Sequence, residues 1–140
     1  MRILVQCTIP YAADDWHVGR FSLLIQALRE AGHGVVARDL APSAGGADPV
    51  LSRVSRDEFD ELWLLGVDAG QPAALTMADV AGINAFHRTG GGLITARDHE
   101  NMGRWLQQIE GVGRGHYFDA SGCYEPDPDR ARSRTSTLTS

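Results

Sequence analysis

Two short stretches of the chain concentrate side chains that could do chemistry. The first carries Tyr11, Asp14, Asp15, Trp16, His17 and Arg20; the second is the unbroken run Arg97-Asp98-His99-Glu100-Asn101. Brought together, a carboxylate and an imidazole supply a general acid and base, and an arginine supplies a clamp for an oxyanion or a ligand carboxylate. Asp14, His17, Arg97, Asp98 and His99 are the residues this reading selects. A plainer reading stands beside it. Asp15 and Asp98 each precede an expected helix, where a carboxylate caps the first N–H groups. His17 and His99 would then be first-turn surface residues, and Trp16 would staple the start of its helix. Arg97 is harder to dismiss, because it leaves an apolar run directly.

Other chemistries are excluded by composition. All thirteen basic residues are arginine, so a Schiff-base lysine and a P-loop lysine are both ruled out. Cys7 and Cys123 are the only cysteines, without CxxC spacing, and they make neither a disulfide framework nor a zinc site. Cys7 falls in an apolar run and reads as a buried small hydrophobe. Asp14, His17, Asp98 and His99 lack the HxxxH type of spacing that would argue for a divalent metal, so no metal or cofactor is expected. The glycines at 90–92 precede a strand, whereas phosphate loops follow one; they read as a turn. Gly111, Gly113 and Gly115 follow a helix and lead into none. The turn after the first strand holds no glycine before Gly19, against a dinucleotide fingerprint. His33 and His87 lie at helix ends, and His116 precedes Tyr117 and Phe118 at an expected core edge.

The elements that must position these residues are legible in the apolar pattern. Strands are expected near 2–7, 34–38, 61–67 and 92–96, from short runs such as RILVQC and ELWLLGV. Helices are expected near 17–31, 76–88 and 99–108. Phe21, Leu24, Ile25 and Leu28 recur at helical spacing before Gly32, while Thr76 and Asp79 form a capping box ahead of Val80, Ile83 and Phe86. Strand, helix, glycine stop and strand make a βαβ unit, so the strands should be parallel. Residues 40–56, rich in Ala, Gly, Pro and Ser, read as a surface loop with one helical turn at Pro49–Arg53. The expected architecture is an α/β domain over residues 1–120, followed by a loop and disordered tail over 121–140. In a flavodoxin-like strand order 2-1-3-4, strands one and four are separated by one strand, about 10 Å between axes. Both ionisable clusters leave strands at the carboxyl edge, where open parallel sheets bind ligands.

The whole chain has 140 residues, 43% of them hydrophobic and 22% charged, in the ordinary range for one globular domain. Its net charge of -5 argues against nucleic acid or an anionic membrane as the partner. MRILVQC meets Pro10 too early for a signal peptide, and no apolar stretch approaches a membrane span, so a cytoplasmic location is expected. A small anionic ligand suits the arginine, and a homo-oligomer is compatible with the sequence.

The phrases DDWHVGRFSLL, FDELWLLGVD and GGGLITARDHENMG resemble an uncharacterised bacterial group of the class I glutamine amidotransferase-like superfamily. The similarity covers most of residues 1–130. It implies a flavodoxin-like parallel sheet with helices on both faces. It also implies a nucleophilic cysteine in a strand–helix elbow, and here the corresponding exit reads Thr95-Ala96-Arg97-Asp98-His99. Glutaminase activity is therefore not expected. The group runs longer than this chain, and CYEPDPDR resembles its continuation whereas ARSRTSTLTS does not, which implies a truncated or frameshifted end. Two functions follow: a hydrolase-like small-molecule site at the strand carboxyl ends, or a binding or interaction domain that has lost the nucleophile.

Overall fold

A computed structural model describes residues 1–8, 17–65, 75–96 and 108–112. Four strands, β1 (Arg2–Cys7), β2 (Gly34–Arg38), β3 (Glu61–Leu65) and β4 (Gly92–Thr95), form one sheet in the order β2-β1-β3-β4. All three pairings are parallel, as the βαβ reading requires. The helices are α1 (Ser22–Glu30) and α2 (Met77–Arg88). Residues 66–67 and the expected helix at 99–108, Gln108 apart, lie outside the described residues, as does the whole of 113–140.

Alternation along the strands assigns each helix to a face. Ile3, Val5 and Cys7 point one way and pack with Leu24 and Leu28 of α1. Leu4, Leu62 and Leu64 point the other way and pack with Val80, Ile83 and Phe86 of α2. Among the described residues the sheet thus carries one α-helix on each face. The start of α1 differs from the sequence reading: Val18–Phe21 is a 3-10 turn, and neither His17 nor Phe21 caps with its side chain. Gly32, at φ +90, ends α1 as its glycine predicted. The capping box of α2 is complete. The Thr76 hydroxyl accepts from the Asp79 N–H, and the Asp79 carboxylate accepts from the Thr76 N–H at 2.8 Å.

The segment after β2 is where sequence and structure part. Residues 40–56 read as a surface loop, yet Leu40, Leu51 and Val54 belong to the α2-side core, and Asp48 is fully buried. The expected helical turn is present as a 3-10 turn at Leu51–Arg53. Asp48 explains why the segment folds inward. Its carboxylate accepts two bonds from the Arg38 guanidinium, at 2.7 and 3.0 Å, and three from the N–H groups of Ala41, Val50 and Leu51. Its own N–H donates to the Asp79 carboxylate at 2.8 Å. Stripping a carboxylate of water costs several kcal/mol, and hydrogen bonds to a charged group return about 1.5–3 kcal/mol each. Five of them outweigh the penalty. The turn then lies against α2 at Gly82, where a β-carbon would meet the Leu51 carbonyl oxygen and, at 2.7 Å, the Ser52 carbonyl.

The amino edge of the sheet is held separately. The Asp60 carboxylate accepts from the Arg2 backbone N–H at 2.7 Å and from its guanidinium at 3.0 Å, while Arg56 donates to the Asp60 carbonyl. Behind β4, Asn84 of α2 donates to the Gln108 carbonyl and accepts from the Glu110 N–H, and Arg88 pairs with Glu110. These bonds fix residues 108–112 against α2, where Ile109 is buried.

Two outcomes follow. Asp48→Ala should cost about 3–5 kcal/mol, because it leaves Arg38 largely buried beside no anion. Burial pushes the Asp48 carboxyl upward, but Arg38 and the three N–H groups together hold it below the ordinary value. A carboxylate depressed on folding stabilises above its unfolded pKa and loses that contribution as pH falls through its folded pKa. The gap between wild type and variant in urea midpoint should therefore be wide at neutral pH and narrow in acid. Gly82→Ala should cost about 1–3 kcal/mol by overpacking, read from the same urea midpoints; an unchanged midpoint would show that the 3-10 turn yields freely.

Candidate functional site

The carboxyl edge of the sheet is formed by the ends of β1, β2, β3 and β4, and its two faces differ in chemistry. On the α2 side, Gln6 and Arg38 stand side by side in register, and the Arg38 guanidinium donates to the Gln6 side-chain oxygen at 2.6 Å. Beyond them lie Asp48 and Asp79. This cluster is internally satisfied: Gln6 donates to the Cys7 carbonyl, and the Asp79 carboxylate takes the Thr76 N–H, the Thr76 hydroxyl and the Asp48 N–H. Asp79 thereby occupies the amino end of α2, the place where a helix would otherwise favour an anion.

On the α1 side, the edge holds Cys7, Asp39 and His17. The ladder continues one step past the strands, with the Thr8 N–H donating to the Leu65 carbonyl at 3.1 Å and the Ala96 N–H to the Leu64 carbonyl at 2.9 Å. Asp39 follows β2 and accepts the Val18 N–H at 2.7 Å, which pins the 3-10 turn to the strand end. His17 is half-buried, and its carbonyl accepts the Arg20 N–H at 3.0 Å. Its ring lies over Gly19, close enough that Cε1 would sit 2.9 Å from a β-carbon there. Glycine at 19 is what makes room for that ring.

Of the five residues selected from sequence, His17 is the one the structure describes. Asp14, Arg97, Asp98 and His99 lie outside the described residues, so the structure does not report whether the two clusters meet. Their strands do stand as expected, with β1 and β4 separated by β3 alone. The sequence reading passed over the exit of β2, where Arg38 and Asp39 lie. The signal was present in ARD directly after an apolar run, and in Gln6, a polar residue inside a buried strand. His87, read as a helix-end residue favouring the dipole, has its Nδ1 3.0 Å from the Gly91 carbonyl and helps hold the turn into β4.

Cys7 is buried among the α1-side core residues, and burial, with the Asp39 charge adding to it, pushes its thiol up to about 12. At neutral pH it is a protonated, apolar filler, as the sequence suggested. Among the described residues there is no group of three His, Cys, Asp or Glu side chains placed to hold a metal ion, and no helix is long and apolar enough to cross a membrane.

Compared with known proteins, the chain matches no family model, no curated protein and no solved structure.

The state of Cys7 has a direct readout. In a Cys123→Ala variant, Cys7 should carry roughly a thousandfold less thiolate than an ordinary cysteine at the same pH. Its alkylation should be slow in the folded protein and should accelerate with urea in step with unfolding. Rapid labelling under native conditions would show an open, reactive thiol.

Proposed function

We propose that this chain is a small-anion-binding α/β domain of the flavodoxin-like, class I glutamine amidotransferase-like kind, with its ligand at the carboxyl edge of the sheet. The observation that carries the reading is the sheet order β2-β1-β3-β4 with every strand parallel. In sequence, Asp14 and His17 follow β1, and Arg97, Asp98 and His99 follow β4, two strands whose carboxyl ends lie on one edge with β3 between them. Ligands of open parallel sheets bind at such an edge. Arg97 is the next residue in the chain after Ala96, whose N–H closes the β3–β4 ladder. Its guanidinium would clamp a carboxylate or phosphate, with Asp14 or Asp15 as its partner when the ligand is away.

Two observations favour binding over hydrolysis by a thiol. Cys7, the cysteine at this edge, is buried and protonated at neutral pH. The strand exit at Thr95-Ala96-Arg97 carries no nucleophilic side chain of the amidotransferase kind. Arg38, at the carboxyl end of β2, is committed to Asp48 and Gln6, so it does not compete as the anion clamp. The absence of lysine leaves arginine to supply the positive charge. A hydrolase-like site built from Asp14, His17, Asp98 and His99 would use the same place, and turnover separates it from simple binding.

The test is a thermal-shift panel of small carboxylates and phosphates on wild type and on Arg97→Ala. Binding at the proposed site should raise the wild-type midpoint with at least one anion, leave the variant's own midpoint near that of wild type, and abolish the ligand shift in the variant. A structural ion pair would instead lower the variant's midpoint, with no anion protecting the wild type, and that pair of results would remove the proposal.

A further inference from the structure

Among the described residues nothing pairs with the outer edge of β2 as a strand, and the hydrogen-bonding pattern of that edge is self-complementary. Gly34 donates its N–H to the Met1 carbonyl at 2.9 Å and stands in register with Arg2. In a parallel ladder this fixes the rest: the backbone groups of Gly34, Val36 and Arg38 face β1, and those of Val35 and Ala37 face away. Among the described residues no strand lies beyond β2. One of the four outward groups, the Val35 carbonyl, accepts from the exposed Arg29 guanidinium at 3.1 Å. Beside this edge, on the α1 face, lies an open groove of about 540 Å³ floored by Val18, Ile25 and Ala37 and rimmed by Ser22, Gln26 and Glu30. On the opposite face Val36 leaves 48% of its surface in water.

We propose that two copies of the chain join here, β2 against β2, antiparallel about a twofold axis at Val36. In that register Val35 of one copy stands opposite Ala37 of the other. The two exchange both N–H···O=C bonds, so all four outward groups of each strand are paired. Centring the axis on Val35 would instead set Ala37 against His33, whose N–H is already given to the Leu28 carbonyl. The side chains fit the same register. On the α1 face the branched Val35 of the second copy meets the small Ala37 and projects over the groove floor. On the α2 face Val36 meets its own counterpart across a close, non-hydrogen-bonded pair, which removes both from water. The bare Gly34 leaves room for the stem of the second copy's Arg38, whose head stays on Asp48. Arg29, exposed and held by one bond to the edge, swings out as the Ala37 N–H of the second copy replaces it. An unpaired edge of this kind otherwise invites indiscriminate pairing, and closure by a twofold removes it.

Sedimentation velocity on the full chain, from micromolar concentrations upward, reads the assembly directly. Wild type should sediment as a species of twice the 15.1 kDa chain mass. Ala37→Pro deletes an outward N–H and leaves the β1 ladder intact, so it should keep the wild-type melting midpoint within a few degrees. The two copies together lose two ladder bonds, raising the dimer dissociation constant roughly tenfold or more. Val36→Lys, which sets two like charges face to face on the other side, should produce monomers as well; it decides the question if the proline variant fails to fold. A wild type that stays monomeric at its highest soluble concentration overturns the proposal. So does a dimer that persists unweakened in either folded variant.

Discussion

The fold depends on one buried carboxylate. Asp48 sits where β2, the 3-10 turn at Leu51–Arg53 and the amino end of α2 converge, and it bonds to all three. Arg38 brings charge balance from the strand, and the N–H groups of Ala41, Val50 and Leu51 bring the connecting chain. Asp79 receives the Asp48 N–H while it completes the α2 capping box. A residue used this way works as a backbone surrogate: it satisfies N–H groups that no strand or helix would otherwise reach. Leu40, Leu51 and Val54 can then pack inward without leaving stray polar groups behind them. The described residues show the consequence, with no buried side-chain nitrogen or oxygen lacking a partner.

That arrangement also explains which parts of the fold were legible in the sequence. The strands and α2 were read almost to the residue, because apolar runs, Gly90-Gly91 and the Thr76–Asp79 pair are local signals with local causes. Residues 40–56 were misread, because Ala, Gly, Pro and Ser describe composition and not the partner of one aspartate. Nothing near Asp48 in the chain marks it apart from the other acidic residues. Its meaning comes from Arg38, ten residues earlier, and from Asp79, thirty-one residues later. A network of this span is specified by the tertiary fold, so the sequence shows its members and not their assembly. Gly82 is similar: a glycine within a helix costs stability on propensity alone, and only the Leu51 and Ser52 carbonyls beside it show why it is there.

The candidate site divides along the same line. The parallel order of the strands was legible, since it follows from βαβ connections, and the edge proposed for a ligand rests on that order. The site's chemistry was legible only in residue types. His17 shows the gap between the two. Chosen for its imidazole beside acidic neighbours, it is held by features that no periodicity reveals: the Asp39 anchor on Val18 and the space above Gly19. Asp39 itself escaped notice because a single acidic residue after a short strand looks like ordinary surface.

The electrostatics of the edge narrow what can bind there. On the α2 face, Arg38 is neutralised by Asp48, and Asp79 fills the amino end of α2. On the α1 face, Asp39 adds a carboxylate close enough to oppose ionisation of Cys7. Among the described residues, the charge of Arg38 and the amino end of α2 are therefore both already occupied. The proposed anion would then take its cation from the connecting segments, and an all-arginine chain makes that cation a guanidinium. Arg20 comes from the 3-10 turn and Arg97 from the exit of β4. Arg20 lies on the turn that Asp39 anchors through Val18, and Arg97 follows Ala96 in the chain, whose N–H donates to the Leu64 carbonyl. A single residue, Ala96, separates Arg97 from the end of β4 in the chain, and a short tether to a rigid strand favours it as the proposed clamp.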